Sequence, residues 1–80
     1  MKPRMVVDTR GLFCPMPVIK TSDALKNLDP GSIVEVISDD PAIEFDLPAW
    51  CKSNGHTICR SEKQSGVYRY FVEKRRDVGD

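Results

Sequence analysis

A chain of 80 residues can bury one small core, so a single domain is expected. Twelve basic residues balance twelve acidic ones, which leaves none of the basic excess of a nucleic-acid-binding surface and points to small-molecule or protein partners. Nowhere do about 18 apolar residues follow one another, and the opening MKPRMVVD has no apolar run of signal-peptide length, so the expectation is a cytoplasmic protein without membrane association.

RMVVDT, residues 4 to 9, is short, β-branched and followed by Gly11, which predicts a first strand. From Pro17 the pattern turns helical: Val18, Thr21, Ser22, Leu25 and Leu28 fall in one arc, with Lys20, Asp23 and Asn27 opposite. DPGS ends that helix, because Pro30 cannot continue it and Gly31 supplies a permissive turn. SIVEVIS, residues 32 to 38, reads as a second strand, parallel to the first across the intervening helix.

Asp39 or Asp40 is then expected to cap a helix opening at Pro41, with Ile43, Leu47, Trp50 and Cys51 near one face. A proline inside a helix costs about 3 kcal/mol. Pro48 therefore predicts an interruption, with Asp46 capping a restarted helix that ends at Asn54 and Gly55. HTICRSE and VYRYFVEK flank a KQSG turn and predict a closing antiparallel hairpin. Tyr68, Tyr70 and Val72 share one face of its last strand.

The resulting order is βαβαββ, an α+β two-layer α/β sandwich with a mixed four-stranded sheet and two helices on one face. Residues 1–80 form the single domain, with residues 74–80 expected to fray.

Three cysteines, an odd number at irregular spacing, do not make a disulfide framework. Cys14 has the most constrained setting, in GLFCPMPVIK. Proline disfavours helix for the residue before it, so Pro15 and Pro17 predict an extended stretch over residues 14 to 16 and a helix starting at Pro17. The thiol would then face the open, positive end of the helix, where a thiolate or persulfide anion is favoured. That contribution, about 0.3–1 kcal/mol, is worth less than one pKa unit, so a thiol moderately more acidic than usual is expected. Such a thiol suits exchange chemistry. Arg10, in the same loop, would add to the effect.

Other constellations are weaker. Cys14, Cys51, His56 and Cys59 lack the paired spacing of structural zinc ligands, and Cys51 and Cys59 read as buried structural thiols. His56 as the base of a Cys–His pair would sit just past a helix end, a position that more often serves the helix carbonyls. The KRR run at residues 74 to 76, with Tyr68 and Tyr70 as a stacking platform, would make an RNA-binding or regulatory module, the alternative from a different class.

DTRGLFCPMPVIK, DPGSIVEVISDDPA, DLPAWCKSNGH and YRYFVEK together resemble the TusA/SirA-like family of small sulfur carriers over nearly the whole chain. The signature is Cys-Pro-x-Pro shortly after Asp-x-x-Gly, here Cys14, Pro15 and Pro17 after Asp8 and Gly11. Met16 occupies the variable position, where some members serving tRNA thiolation carry Glu. The resemblance implies that Cys14 carries sulfane sulfur as a persulfide, taken from a cysteine desulfurase or another persulfide donor and passed to an acceptor sulfurtransferase protein. Destinations of such relays include tRNA thiolation, molybdenum cofactor assembly and sulfur metabolism.

Asp8 is expected to tie strand to loop, as the family pattern implies, and Gly11 to permit the loop. No cofactor or metal is implied, and a monomer is expected. Phe13, Met16 and Ile19 surround Cys14, with Ile19 off the core arc, which predicts an apolar docking rim.

Overall fold

The computed structural model describes residues 2–75. Its elements are β1 (Met5–Asp8), α1 (Met16–Lys26), β2 (Ile33–Ser38), α2 (Ile43–Asn54), β3 (Thr57–Gln64) and β4 (Val67–Glu73). This is the expected βαβαββ order. The strands align as β1-β2-β4-β3, with β1 parallel to β2 from Met5↔Val34 to Asp8↔Ile37. β4 runs antiparallel to both of its neighbours.

Alternation along the strands divides the sheet into two chemically different faces. Val34 and Val36 of β2 lie opposite Val72 and Tyr70 of β4, and all four are buried against the helices. Leu25 of α1 and Ile43, Leu47 and Cys51 of α2 complete this core, with Trp50, Val18 and Ile58 packed at its edge. Each fully buried aliphatic side chain contributes about 1.5–3 kcal/mol. The opposite face is charged: Arg69 pairs with Glu35 at 2.8 Å and Arg60 with Glu62 at 2.6 Å. Tyr68 and Tyr70 face the helices and are buried, so they offer no open platform for stacking bases.

The β3–β4 connection is tighter than the four residues KQSG. Gln64 pairs with Val67, and only Ser65 (φ 52°) and Gly66 (φ 77°) form the turn, as expected of a two-residue loop that follows the strand twist.

Three helix expectations change, the first being that α2 opens at Ile43 with Ala42 at its N-cap and not at Pro41. α1 begins at Met16, one residue before Pro17, with Pro15 at the N-cap; the steric effect of a proline on its predecessor disfavours helix without forbidding it. The Met16 N–H is satisfied by the Phe13 carbonyl at 2.8 Å, so Cys14 and Pro15 form a turn leading into the helix and are not extended.

α2 runs through Pro48 without interruption, and Asp46 starts no second helix. Proline there removes one amide donor. The burial of Ile43, Leu47 and Cys51 along one stripe holds the helix together across that missing bond. At its far end Gly55 adopts φ 77° and closes the helix at the expected Asn-Gly pair.

Of the tail expected to fray, Lys74 and Arg75 are tied down. The Lys74 N–H donates to the Ser32 carbonyl at 2.8 Å, the Gly31 N–H donates to the Lys74 carbonyl at 3.0 Å, and the Arg75 N–H donates to His56 Nδ1 at 3.0 Å. Residues 76–80 lie outside the described residues.

Candidate functional site

Because β1 and β2 are parallel, the loops leaving their C-terminal ends lie side by side. One is residues 9–15, which carries Cys14; the other is Asp39–Ala42, which leads into α2. Buried Thr9 clamps the start of the first loop, its N–H and hydroxyl both donating to the Ile37 carbonyl at 2.7 and 2.6 Å.

Almost every following amide is paired. The Arg10 N–H donates to Asp8 Oδ1 at 3.1 Å, the Gly11 N–H to Asp39 Oδ1 at 3.0 Å and the Cys14 N–H to Asp40 Oδ2 at 2.9 Å. The Leu12 N–H donates to the Thr9 carbonyl at 3.1 Å. Gly11 has φ 85° and permits this path, which side chains with a Cβ rarely follow. Asp40 uses both carboxylate oxygens: Oδ1 accepts the Ala42 N–H at 3.1 Å at the entrance of α2, while Oδ2 holds Cys14.

Asp8 and Arg10 form a two-pronged ion pair, Nε to Oδ1 at 3.0 Å and Nη2 to Oδ2 at 2.7 Å. This pairing lowers the Asp8 carboxyl to about 2 and commits the Arg10 charge to Asp8. Asp8, the last residue of β1, thus bonds both the backbone and the side chain of Arg10 in the loop, and the Arg10 guanidinium is paired with that carboxylate.

Cys14 is exposed, and its surroundings reverse the expected acidity. The neighbouring Asp46 carboxylate, with desolvation and the negative charge of Asp40, pushes the thiol above its ordinary value. The first turn of α1 offers little to oppose them. Pro17 has no N–H, Met16 bonds Phe13, and the Val18 and Ile19 amides both donate to the Pro15 carbonyl at 3.1 Å. The amides expected to stabilise a thiolate are already used.

Around Cys14, Phe13 is 73% exposed, and Met16 and Ile19 are also accessible. Phe45, in the first turn of α2 beside Asp46, is 77% exposed. Pro17 is buried.

The remaining candidates sit elsewhere. Cys51 is buried in the core, where desolvation lifts its thiol to about 11. Cys59 is exposed and not buried as expected: the register shift between Ile58 and Arg60 turns it outward, 3.8 Å from Glu73 Oε1. His56 follows the C-terminal end of α2, whereas Cys14 meets Asp46 near the N-terminal end, so the two form no catalytic pair. Among the described residues, no three His, Cys, Asp or Glu side chains come together as metal ligands. No helix of the described residues is long and apolar enough to cross a membrane.

Asp39, Asp40, Asp46 and Phe45 are the site residues that the sequence reading missed. Local spacing gives no hint of them, since Asp40 and Asp46 stand 26 and 32 positions from Cys14. The signal available was topological: two parallel strands must end beside one another.

A small α+β sandwich that presents one pinned, accessible thiol between a strand and a helix has the architecture of a sulfur carrier. Residues 5–74 match the family described as Sulfurtransferase TusA, and the chain belongs to that family. It is 36% identical over 74 residues to the putative sulfur carrier protein YrkI of Bacillus subtilis, covering 92% of this chain and 99% of that one. It is 33% identical over 72 residues to the sulfur carrier protein TusA of Pseudomonas aeruginosa, covering 90% and 91%. The putative sulfur carrier protein YrkF of Bacillus subtilis is 39% identical over 74 residues, but these span 92% of this chain and only 40% of that protein. The crystal structure of a SirA-like protein from Desulfitobacterium hafniense superposes with a TM-score of 0.78 at 27% identity, covering 89% of this chain and 97% of that one.

Proposed function

We propose that Cys14 is the sulfur-bearing residue of a carrier that receives sulfane sulfur from a donor protein's persulfide and delivers it to an acceptor thiol. The observation that carries this reading is the accessibility of Cys14 on a loop whose amides are nearly all bonded. A fixed backbone with a reachable sulfur lets a partner align one sulfur on another with little reorganisation.

In the loading step, Cys14 Sγ attacks the outer sulfur of the donor's persulfide. A sulfur–sulfur bond forms to Cys14, the donor's own sulfur–sulfur bond breaks, and the donor cysteine leaves as a thiolate. No net oxidation occurs. Asp46 accepts the Cys14 thiol proton as the bond forms. In the delivery step an acceptor thiolate attacks the outer sulfur carried on Cys14, and Cys14 leaves as a thiolate to recover its proton.

Pro15, Pro17, Gly11, Asp8 and Arg10 hold the loop. Phe13, Met16, Ile19 and Phe45 make the apolar rim on which the partners dock. The donor class is a cysteine desulfurase or another persulfide-bearing protein, and the acceptor a sulfurtransferase serving tRNA thiolation, molybdenum cofactor assembly or sulfur metabolism, in the cytoplasm and with this chain as a monomer.

Intact-mass measurement after incubation with a cysteine desulfurase and cysteine tests the assignment. The wild type gains the mass of one sulfur, and Cys14→Ser gains none. Equal loading of Cys14→Ser would move the role to another thiol, with exposed Cys59 the first to examine.

A further inference from the structure

Charge is unevenly distributed around Cys14. Across the two loops that meet there and the first helical turns they lead into, residues 9–19 and 39–46, the acidic side chains are Asp39, Asp40, Glu44 and Asp46, and the only cationic one is Arg10. Arg10 is held on the Asp8 carboxylate at 2.7 Å, and Glu44 pairs with Lys63 at 3.6 Å. Asp39 also acts on the Arg10 guanidinium. Asp40 and Asp46 form no salt bridge among the described residues.

These two carboxylates stand close to the sulfur. That of Asp40 is fixed, Oδ2 accepting the Cys14 N–H at 2.9 Å and Oδ1 the Ala42 N–H at 3.1 Å. Asp46 neighbours the thiol from the first turn of α2. Cys14 is exposed, so small solutes reach it as readily as proteins do. A small thiolate that attacks the outer sulfur of a Cys14 persulfide forms its own sulfur–sulfur bond and releases Cys14 as a thiolate, so the cargo is lost without net oxidation. Glutathione and similar small thiols carry carboxylates besides the thiolate. An acceptor protein offsets the repulsion by contacts elsewhere, whereas a small thiol has none.

We propose that Asp40 and Asp46 select reaction partners at the Cys14 sulfur by charge, slowing carboxylate-bearing small thiols and disulfides and leaving the sulfur to acceptor cysteines that dock. The inference rests on the sulfur-carrying role proposed above, but the selection itself is a property of the bare thiol. Two unit charges about 7 Å apart in water alter a rate about threefold. Salt at about 1 M shortens the screening length to about 3 Å and removes most of that effect.

Three small symmetric disulfides test the selection: cystamine, a dication; bis(2-hydroxyethyl) disulfide, neutral; and dithiodiglycolate, a dianion. In each reaction the Cys14 thiolate attacks one sulfur, a mixed disulfide forms and one small thiolate leaves, so the gain in protein mass reports the rate. The full chain carries Cys59→Ser, which leaves Cys14 as the only exposed thiol. All three reagents meet the same thiolate population, so the ratio of their rates does not depend on the acidity of the thiol. At low ionic strength the ratio of cystamine to dithiodiglycolate should exceed that of a free neutral thiol, N-acetylcysteinamide, by at least about tenfold, with the neutral disulfide between them. Sodium chloride at about 1 M should bring it within about twofold of the free thiol, and Asp46→Asn should lower it about threefold or more.

A ratio equal to that of the free thiol, a ratio unmoved by salt, or a wild-type ratio in Asp46→Asn would overturn the proposal. The salt series needs no change at Asp46, so it decides the matter should Asp46→Asn fail to fold. A flat ratio in a chain that loads sulfur overturns charge selection alone, and failure to load sulfur beside a steep ratio overturns the carrier reading alone.

Discussion

One carboxylate, that of Asp40, ties the Cys14 amide to the first amide of the α2 entrance, and so couples the position of the sulfur to the start of a helix. Asp40→Asn leaves a single acceptor for two donors. It should lower stability by about 1–2 kcal/mol in urea denaturation and slow sulfur loading; an unchanged midpoint would mean the loop is held by its other bonds.

Asp46 acts on the sulfur itself. Removing its charge lowers the thiol pKa, so a larger thiolate fraction exists at pH 7. In Asp46→Asn the alkylation of Cys14 by iodoacetamide at pH 7 should therefore quicken about three- to tenfold, with its pH midpoint moved down. Sulfur loading from a persulfide donor should slow in the same variant, because the proton acceptor is gone. Parallel changes in the two rates would count against a role for Asp46 in taking the proton. Cys14 itself was legible from its glycine and proline neighbours, which act through the local backbone. Its two aspartates were not, and with them went the sign of the pKa shift, because charge reaches the thiol through space and not along the chain.

At the scale of an element, α2 separates two tasks over a few residues. Leu47 is fully buried in the core while Phe45 is almost wholly in solvent. On α1, Thr21 and Leu25 point inward and Ile19 outward. Ile19→Lys and Phe45→Ala should each leave the melting temperature within the range of ordinary surface substitutions, about ±0.5 kcal/mol, yet reduce the rate of loading from a protein donor. Loading from a small persulfide would be spared. If protein-to-protein transfer is undiminished in both, the rim is not a docking surface. Helical periodicity made the inward faces readable. Phe45 escaped because Pro48 suggested a break, and a helix expected to restart at Asp46 has no reason to present the residue before it.

For the whole molecule, the number and type of elements followed from apolar patterning, and the parallel pairing of β1 and β2 from the helix between them. The strand order did not follow, because which neighbour β4 takes beyond its hairpin partner depends on long-range packing of Tyr70 and Val72 against β2. The core these residues build is small. Leu47→Ala should cost about 2–5 kcal/mol, a large share of the roughly 4–12 kcal/mol available to a domain of this length. Circular dichroism should show Leu47→Ala substantially unfolded near 37 °C, and a thermal transition matching the wild type would indicate that neighbouring side chains collapse into the space.

The place of β4 between β2 and β3 also governs how the molecule can be made. Until β4 has left the ribosome, β2 has only β1 beside it and β3 has no neighbour in the sheet, so the two parts cannot join. β4 itself must be available before the domain becomes protease-resistant, and acquisition of the native state is then a single event that joins both parts at once.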